Sequence, residues 1–144
     1  MAGSLSPGGA RRTWTVPPGR CAPRRATYLG GMALVDRHCS RWPKGRPPLG
    51  AAEVAAALRE LPAWNAAEHA TRLTRRYAFA DFRGAMRFVG ALADLANAED
   101  HHPDFTVRWN VVEVTSWTHD AGGLTDNDFI LAARLDALPE AAAA

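Results

Sequence analysis

Residues 107–119 read VRWNVVEVTSWTH, and the fold turns on how this run is interpreted. Val107, Trp109 and Val111 fall on one parity and Arg108, Asn110 and Val112 on the other, with β-branched and aromatic residues dominating through Trp117. Alternation of this kind is the mark of a strand, and the spacing predicts one central strand from Val107 to Trp117 that ends at Thr118 and His119. Upstream, beyond a polar loop with Pro103, Phe82, Ala85, Met86, Val89, Leu92, Ala93 and Ala96 recur at three- and four-residue steps. That is the period of an amphipathic helix, and with Asp81 as its N-cap the main helix is expected over about 81–98. Further back, Leu73, Tyr77 and Phe79 share one parity while Arg72, Thr74 and Arg76 take the other, so residues 63–79 read as one or two half-buried strands. Val54, Leu58 and Leu61 ahead of Pro62 make a short helix from Gly50. Downstream, Gly122 and Gly123 turn the chain, and Thr125 with Asp128 forms a capping-box start to a helix containing Ile130, Leu131, Leu135 and Leu138. The order helix, strands, helix, strand, helix has no repeated strand–helix–strand unit. It predicts an α+β domain with helices on one face of an antiparallel sheet.

A chain of 144 residues with 47% apolar and 22% charged side chains fits one globular domain. No run approaches the roughly 18 consecutive apolar residues of a membrane span, so a water-soluble protein with no membrane partner is expected. Cys21 and Cys39 stand alone, without C-x-x-C spacing, which excludes a disulfide scaffold and a zinc finger. The net charge of +2 hides an asymmetry: residues 1–48 carry nine Arg or Lys against the single acid Asp36, whereas the remainder is acidic, with fourteen carboxylates against eight Arg. The body is therefore not read as a nucleic-acid binder. Seven of the ten prolines and seven of the twelve glycines also lie in residues 1–48. This segment is expected to be a disordered basic leader, and 49–140 the folded domain. An Arg-rich targeting peptide, a tail for an anionic partner, and spurious upstream translation with Met32 as the true start all fit the leader. A domain this small has a small core, which favours association through an exposed strand or helix.

Three histidines, His101, His102 and His119, crowd the two ends of one loop–strand unit. Histidine both takes and gives protons near neutral pH, so this is a proton-transfer constellation. Two blander readings compete with it. Adjacent loop histidines are commonly surface residues, and a metal site could recruit Asp104 and Asp120, although neighbouring histidines point apart and no H-x-x-x-H or Cys partner is present. The tryptophans and Phe105 could stack a planar heterocycle or serve as core. No glycine-rich phosphate loop occurs.

Read in order, Asp100-His101-His102-Pro103-Asp104, Trp109 beside Asn110, Thr118-His119-Asp120, and then Gly123, Leu124, Thr125 and Asp128 resemble the signature of the pterin-4a-carbinolamine dehydratases. Trp64, Phe79, Asp81, Phe82, Ala85, Phe88 and Ala93 extend the resemblance upstream, so that it covers roughly residues 50–138. It implies a four-stranded antiparallel sheet with helices on one face, in a homodimer or homotetramer. It also implies dehydration of 4a-hydroxytetrahydropterin to quinonoid dihydropterin and water in tetrahydrobiopterin recycling, in the cytoplasm, without metal or cofactor. His101 and His119 would then form the acid/base pair and His102 would orient the small-molecule pterin. Asp100, Pro103, Trp117, Thr118 and Asp120 would bind the substrate. The family often has an acid four residues before the first histidine of the pair, where this chain has Asn97. One helical turn earlier, that position is expected to lie over His101. The same fold also serves non-enzymatic binding modules, such as transcriptional cofactors or assembly chaperones, which is the alternative reading.

Overall fold

The computed structural model describes residues 31–144. Helix α1 (Ala51–Leu58) starts at Gly50, whose N–H donates to Glu53 Oε2 at 2.8 Å. Strands β1 (Asn65–Ala67) and β2 (Arg72–Ala78) form a hairpin. The long helix α2 (Phe82–Glu99) opens where the Asp81 carboxylate accepts from Gly84 N–H at 2.7 Å. Strands β3 (Asp104–Arg108) and β4 (Val111–Ser116) follow, and α3 (Asp126–Asp136) closes the domain. The four strands form one antiparallel sheet in the order β1-β2-β4-β3. This is the expected α+β architecture, with the helices packed on one face.

The run that reads as one strand over 107–117 is a hairpin. Val107 pairs with Val112 and Arg108 with Val111, so Trp109 and Asn110 are its two-residue turn. Pairing across that turn puts Val107 and Val112 on the same face, and the fully buried residues of β4 are Val112, Val114 and Ser116 rather than Val111, Glu113 and Thr115. Nothing in the residue types announces the turn. Asn-Gly is the usual signal for such a hairpin, whereas here Trp109 takes the left-handed conformation (φ 52°) that bulky side chains rarely adopt. Asn110 compensates: its side-chain amide donates to Phe79 O, and its own carbonyl accepts from Phe79 N–H at 2.8 Å.

On α2 the buried stripe is Ala85, Phe88, Leu92 and Ala96. Phe88 stacks obliquely on Tyr77, with ring centroids 4.4 Å apart, and on Phe79 at 5.3 Å. The expected apolar set was wider than one helix face can bury, and Phe82, Met86 and Ala93 are exposed.

The expected boundary at residue 48 falls inside the packed structure. A short 3-10 turn, Leu34–Asp36, rests on α3 with Leu34 only 1% exposed. Arg37 pairs with Asp126 at 3.7 Å, and Arg134 Nη1 donates to Arg37 O at 3.2 Å. Composition misjudges this stretch because polar ties to the body hold it more than apolar burial does. Residues 1–30 of the expected leader lie outside the described residues. Among the described residues, no helix is long and apolar enough to cross a membrane.

Candidate active site

Helix α2 ends in a sharp turn. Asp100 adopts the left-handed conformation (φ 50°, ψ 38°), and His101 N–H reaches back to Ala96 O at 3.1 Å. The turn sends the two histidines apart. His101 points inward, with its side chain 11% exposed, and its Nε2 lies 2.8 Å from Asp128 Oδ1. His102 is exposed, and its Nε2 lies 3.0 Å from Asn97 Oδ1. Asn97 therefore partners His102 and not His101, contrary to the expectation from helical spacing. The helix does not continue through Asp100, so a one-turn rule cannot be carried past it.

Asp128 organises the site. It is fully buried at the start of α3, and donors surround both oxygens. Ser116 Oγ donates to Oδ1 at 2.6 Å beside His101. Thr118 Oγ1 at 2.9 Å and Thr125 N–H at 2.8 Å donate to Oδ2. Since a carboxylate only accepts, His101 must place its proton on Nε2, which leaves Nδ1 as the acceptor nitrogen of the neutral ring. One side chain thus caps α3 and fixes an imidazole tautomer. The sequence showed Asp128 as a capping residue and as part of the family resemblance, and its bond to His101 depends on β4 and the α2 turn meeting α3.

His119 differs. It follows β4 at the start of a 3-10 turn, is exposed, and stacks on Trp117 with centroids 3.9 Å apart and planes 25° from parallel. The Arg72 guanidinium also lies over the Trp117 ring at 3.5 Å, and Trp117 Nε1 donates to Asp104 Oδ2 at 3.3 Å. The loop after His119 is closed by Thr118 N–H to Gly123 O at 2.9 Å. Gly123 has to lack a side chain, because a Cβ there would sit 2.9 Å from Pro48 Cβ.

A cleft of about 930 Å³ opens beside His101. Of the sequence-predicted site residues, Asp100, His101, Thr118 and Asp120 line it. His102, Pro103, Trp117 and His119 are not part of its lining: Pro103 is buried, and the other three are placed as described above. Segment 39–45, which sequence reasoning assigned to no site, supplies much of the remaining wall together with Glu99 and Asn127. Glu99 is buried at the end of α2. Burial raises its pKa, but the Cys39 N–H at 2.8 Å, His38 Nδ1 at 2.9 Å and Arg134 at 3.2 Å outweigh that, and the net shift is downward. Burial, together with the Glu99 and Asp128 charges, pushes the Cys39 thiol up to about 12, so it stays protonated at neutral pH. Among the described residues, no three His, Cys, Asp or Glu side chains converge as a metal-ligand set.

The fold and the site thus define an α+β protein with a buried carboxylate–imidazole pair beside a cleft. The comparisons narrow that class. The family model described as pterin 4 alpha carbinolamine dehydratase matches residues 47–138, and the chain belongs to that family. It is 42% identical over 105 residues to a protein of Microcystis aeruginosa named "Putative pterin-4-alpha-carbinolamine dehydratase", covering 72% of this chain and 90% of the relative. A Xanthomonas oryzae protein of the same name is 45% identical over 103 residues, covering 72% and 87%. Because the chain ends at residue 144, an alignment covering 72% of it begins no later than about residue 41, ahead of the family match. Among solved structures, one described as a transcriptional coactivator/pterin dehydratase from Brucella melitensis superposes with a TM-score of 0.60 at 34% identity, covering 62% of this chain and 96% of that one.

Proposed function

We propose that this chain converts a 4a-hydroxytetrahydropterin to quinonoid dihydropterin and water, in recycling of the tetrahydrobiopterin type. The carrying observation is His101 locked by buried Asp128 at the edge of a cleft. The reaction needs a proton delivered to the 4a-hydroxyl oxygen as the C4a–O bond breaks. It also needs the N5 proton removed as the C4a=N5 double bond forms, so no oxidant or reductant takes part. His101 and His119 divide these two transfers, and each can serve as acid or base because imidazole works in both directions near neutral pH. His102 orients the pterin, held by Asn97. Asp100, Pro103, Trp117, Thr118 and Asp120 shape the binding site, with Asp100, Thr118 and Asp120 facing the cleft directly. The chemistry requires no metal or cofactor. A cytoplasmic homodimer or homotetramer completes the reading; β3 supports it as one of the two edge strands of the sheet, with Phe105 42% exposed. The test is dehydration of a freshly generated 4a-hydroxypterin by purified, folded protein. A rate no higher than the uncatalysed one would sink the assignment.

The name carried by the Brucella melitensis neighbour favours one second reading, a binding module that acts as a coactivator. The exposed Phe82 and Met86 on α2 give it a surface. Under this reading His101→Ala and His119→Ala would leave the biological role intact, and a protein partner would co-purify in stoichiometric amount.

A further inference from the structure

The wall formed by residues 39–45 is firmly built. Ser40 gives both backbone groups to the buried Asn127 amide: its N–H donates to Oδ1 at 3.1 Å, and its carbonyl accepts from Nδ2 at 2.7 Å. Cys39 N–H is tied to buried Glu99, and its thiol donates to Asn127 O at 3.5 Å. The loop beyond then folds on itself. Arg46 N–H donates to Pro43 O at 3.0 Å, Trp42 Nε1 donates to Arg46 O at 3.1 Å, and the Arg46 guanidinium lies 4.2 Å over the Trp42 ring. Gly45, at φ 81°, takes the left-handed step that closes this turn.

Arg41 and Lys44 are left lining the cleft, exposed and without an ion-pair partner among the described residues. Asp100 and Asp120 line it as well, equally without ion pairs among the described residues, from the segments that carry His101 and Thr118. The cleft is thus divided by charge, with cations on the strap and free carboxylates on the histidine segments. We propose that the Arg41–Gly45 loop is a specificity element that adds affinity for pterins whose side chain carries a carboxylate or a phosphate, beyond that for an uncharged chain such as the dihydroxypropyl group of a tetrahydrobiopterin; this rests on the pterin reading above. The aminopyrimidinone edge of a pterin presents N–H donors, which suit carboxylates such as Asp100 or Asp120. An anionic side chain finds no partner there and finds two on the strap. The volume agrees: about 930 Å³ lies near the top of the roughly 300–1,000 Å³ range of sites for drug-sized ligands, more than a bare bicyclic ring needs.

The experiment measures binding of three pterins to the full chain by quenching of pterin fluorescence: pterin-6-carboxylate, the phosphate monoester of 6-hydroxymethylpterin, and neutral 6-hydroxymethylpterin. At low salt the two anions should bind about tenfold more tightly than the neutral ring, with the preference fading as salt rises to about 0.5 M. The ratio should fall to within about twofold of one in the Arg41→Ala/Lys44→Ala double variant, whose exposed positions do not threaten folding. A larger preference for the phosphate than for the carboxylate, or the reverse, supports the proposal and identifies the natural charge. Equal binding of all three pterins, or a preference that survives in the double variant, overturns the proposal. Absence of that preference together with measurable turnover sinks the strap alone, whereas an intact preference without turnover sinks the dehydratase reading alone. Failure to bind any of the three sinks both.

Discussion

The two ends of the loop–hairpin unit that carries the histidines are built on opposite plans. At one end His101 is packed against a carboxylate that already has three strong donors, and neither ring nor partner can move without exposing a buried charge. At the other end His119 lies open, its ring stacked on the face of Trp117. Proton transfer between fixed and reacting atoms needs geometry first. The difference teaches that the inner histidine is pre-set in tautomer and direction by its carboxylate, a constraint that the stacked outer ring does not share.

The strongest way to break this comparison is His101→Ala. It should lower kcat/KM about 10³-fold, within the span usual for a general acid or base, and added imidazole should restore little of it, because a free ring entering from the cleft must also be held with one nitrogen on Asp128 Oδ1. Asp128→Asn comes next, at about 10²-fold, since Asn can present an N–H to His101 and favour the wrong tautomer; calorimetry should also show a loss of about 1–3 kcal/mol. His119→Ala should cost some tenfold to 10²-fold and, unlike His101→Ala, should be partly rescued by imidazole. Equal rescue at the two positions would erase the distinction between them.

Two smaller effects sharpen it. The carboxyl of Glu99, held below its usual value by the Cys39 N–H, His38 and Arg134, contributes stability above the ordinary glutamate pKa of about 4.3. That contribution is lost as the pH falls through the lowered folded value. Glu99→Gln should therefore cost about 1–3 kcal/mol at pH 7, and the gap from wild type in thermal melts should narrow as the pH falls below the ordinary glutamate value and close below the lowered one. Smallest of all, Asn97→Glu should place its charge beside His102 and change turnover by less than about threefold, with the limbs of the pH–rate profile unmoved. A shifted limb would mean that residue 97 reaches the locked ring after all.

Elements whose period is long were legible in the sequence: α2, its Asp81 cap, and the Thr125–Asp128 capping box stand where the residue spacing puts them. The β3–β4 turn was hidden because Trp109 occupies a backbone conformation that its side chain disfavours, and parity alone carries no mark of a two-residue turn. Within the site, His101, Asp100, Thr118 and Asp120 were legible as a cluster by composition and resemblance. The Asp128–His101 bond joins residues 27 apart, and Asn127 grips Ser40 from 87 residues away, so neither leaves a local pattern to read. The strap was misjudged for a related reason. Its proline, glycine and arginine content describes what it lacks in apolar side chains, not what Glu99 and Asn127 offer its backbone.

Those long separations also dictate an order of manufacture. During synthesis, residues 39 and 40 emerge long before the amide that grips Ser40 and the guanidinium that braces Glu99, which belong to Asn127 and Arg134. The β3–β4 hairpin can close as soon as its own dozen or so residues are free of the ribosome, whereas the strap must wait until α3 has been made and then find its place across a long loop. The cleft is therefore finished after the hairpin, and a nascent chain stopped short of α3 carries the histidines without the residues that anchor the strap wall of the cleft.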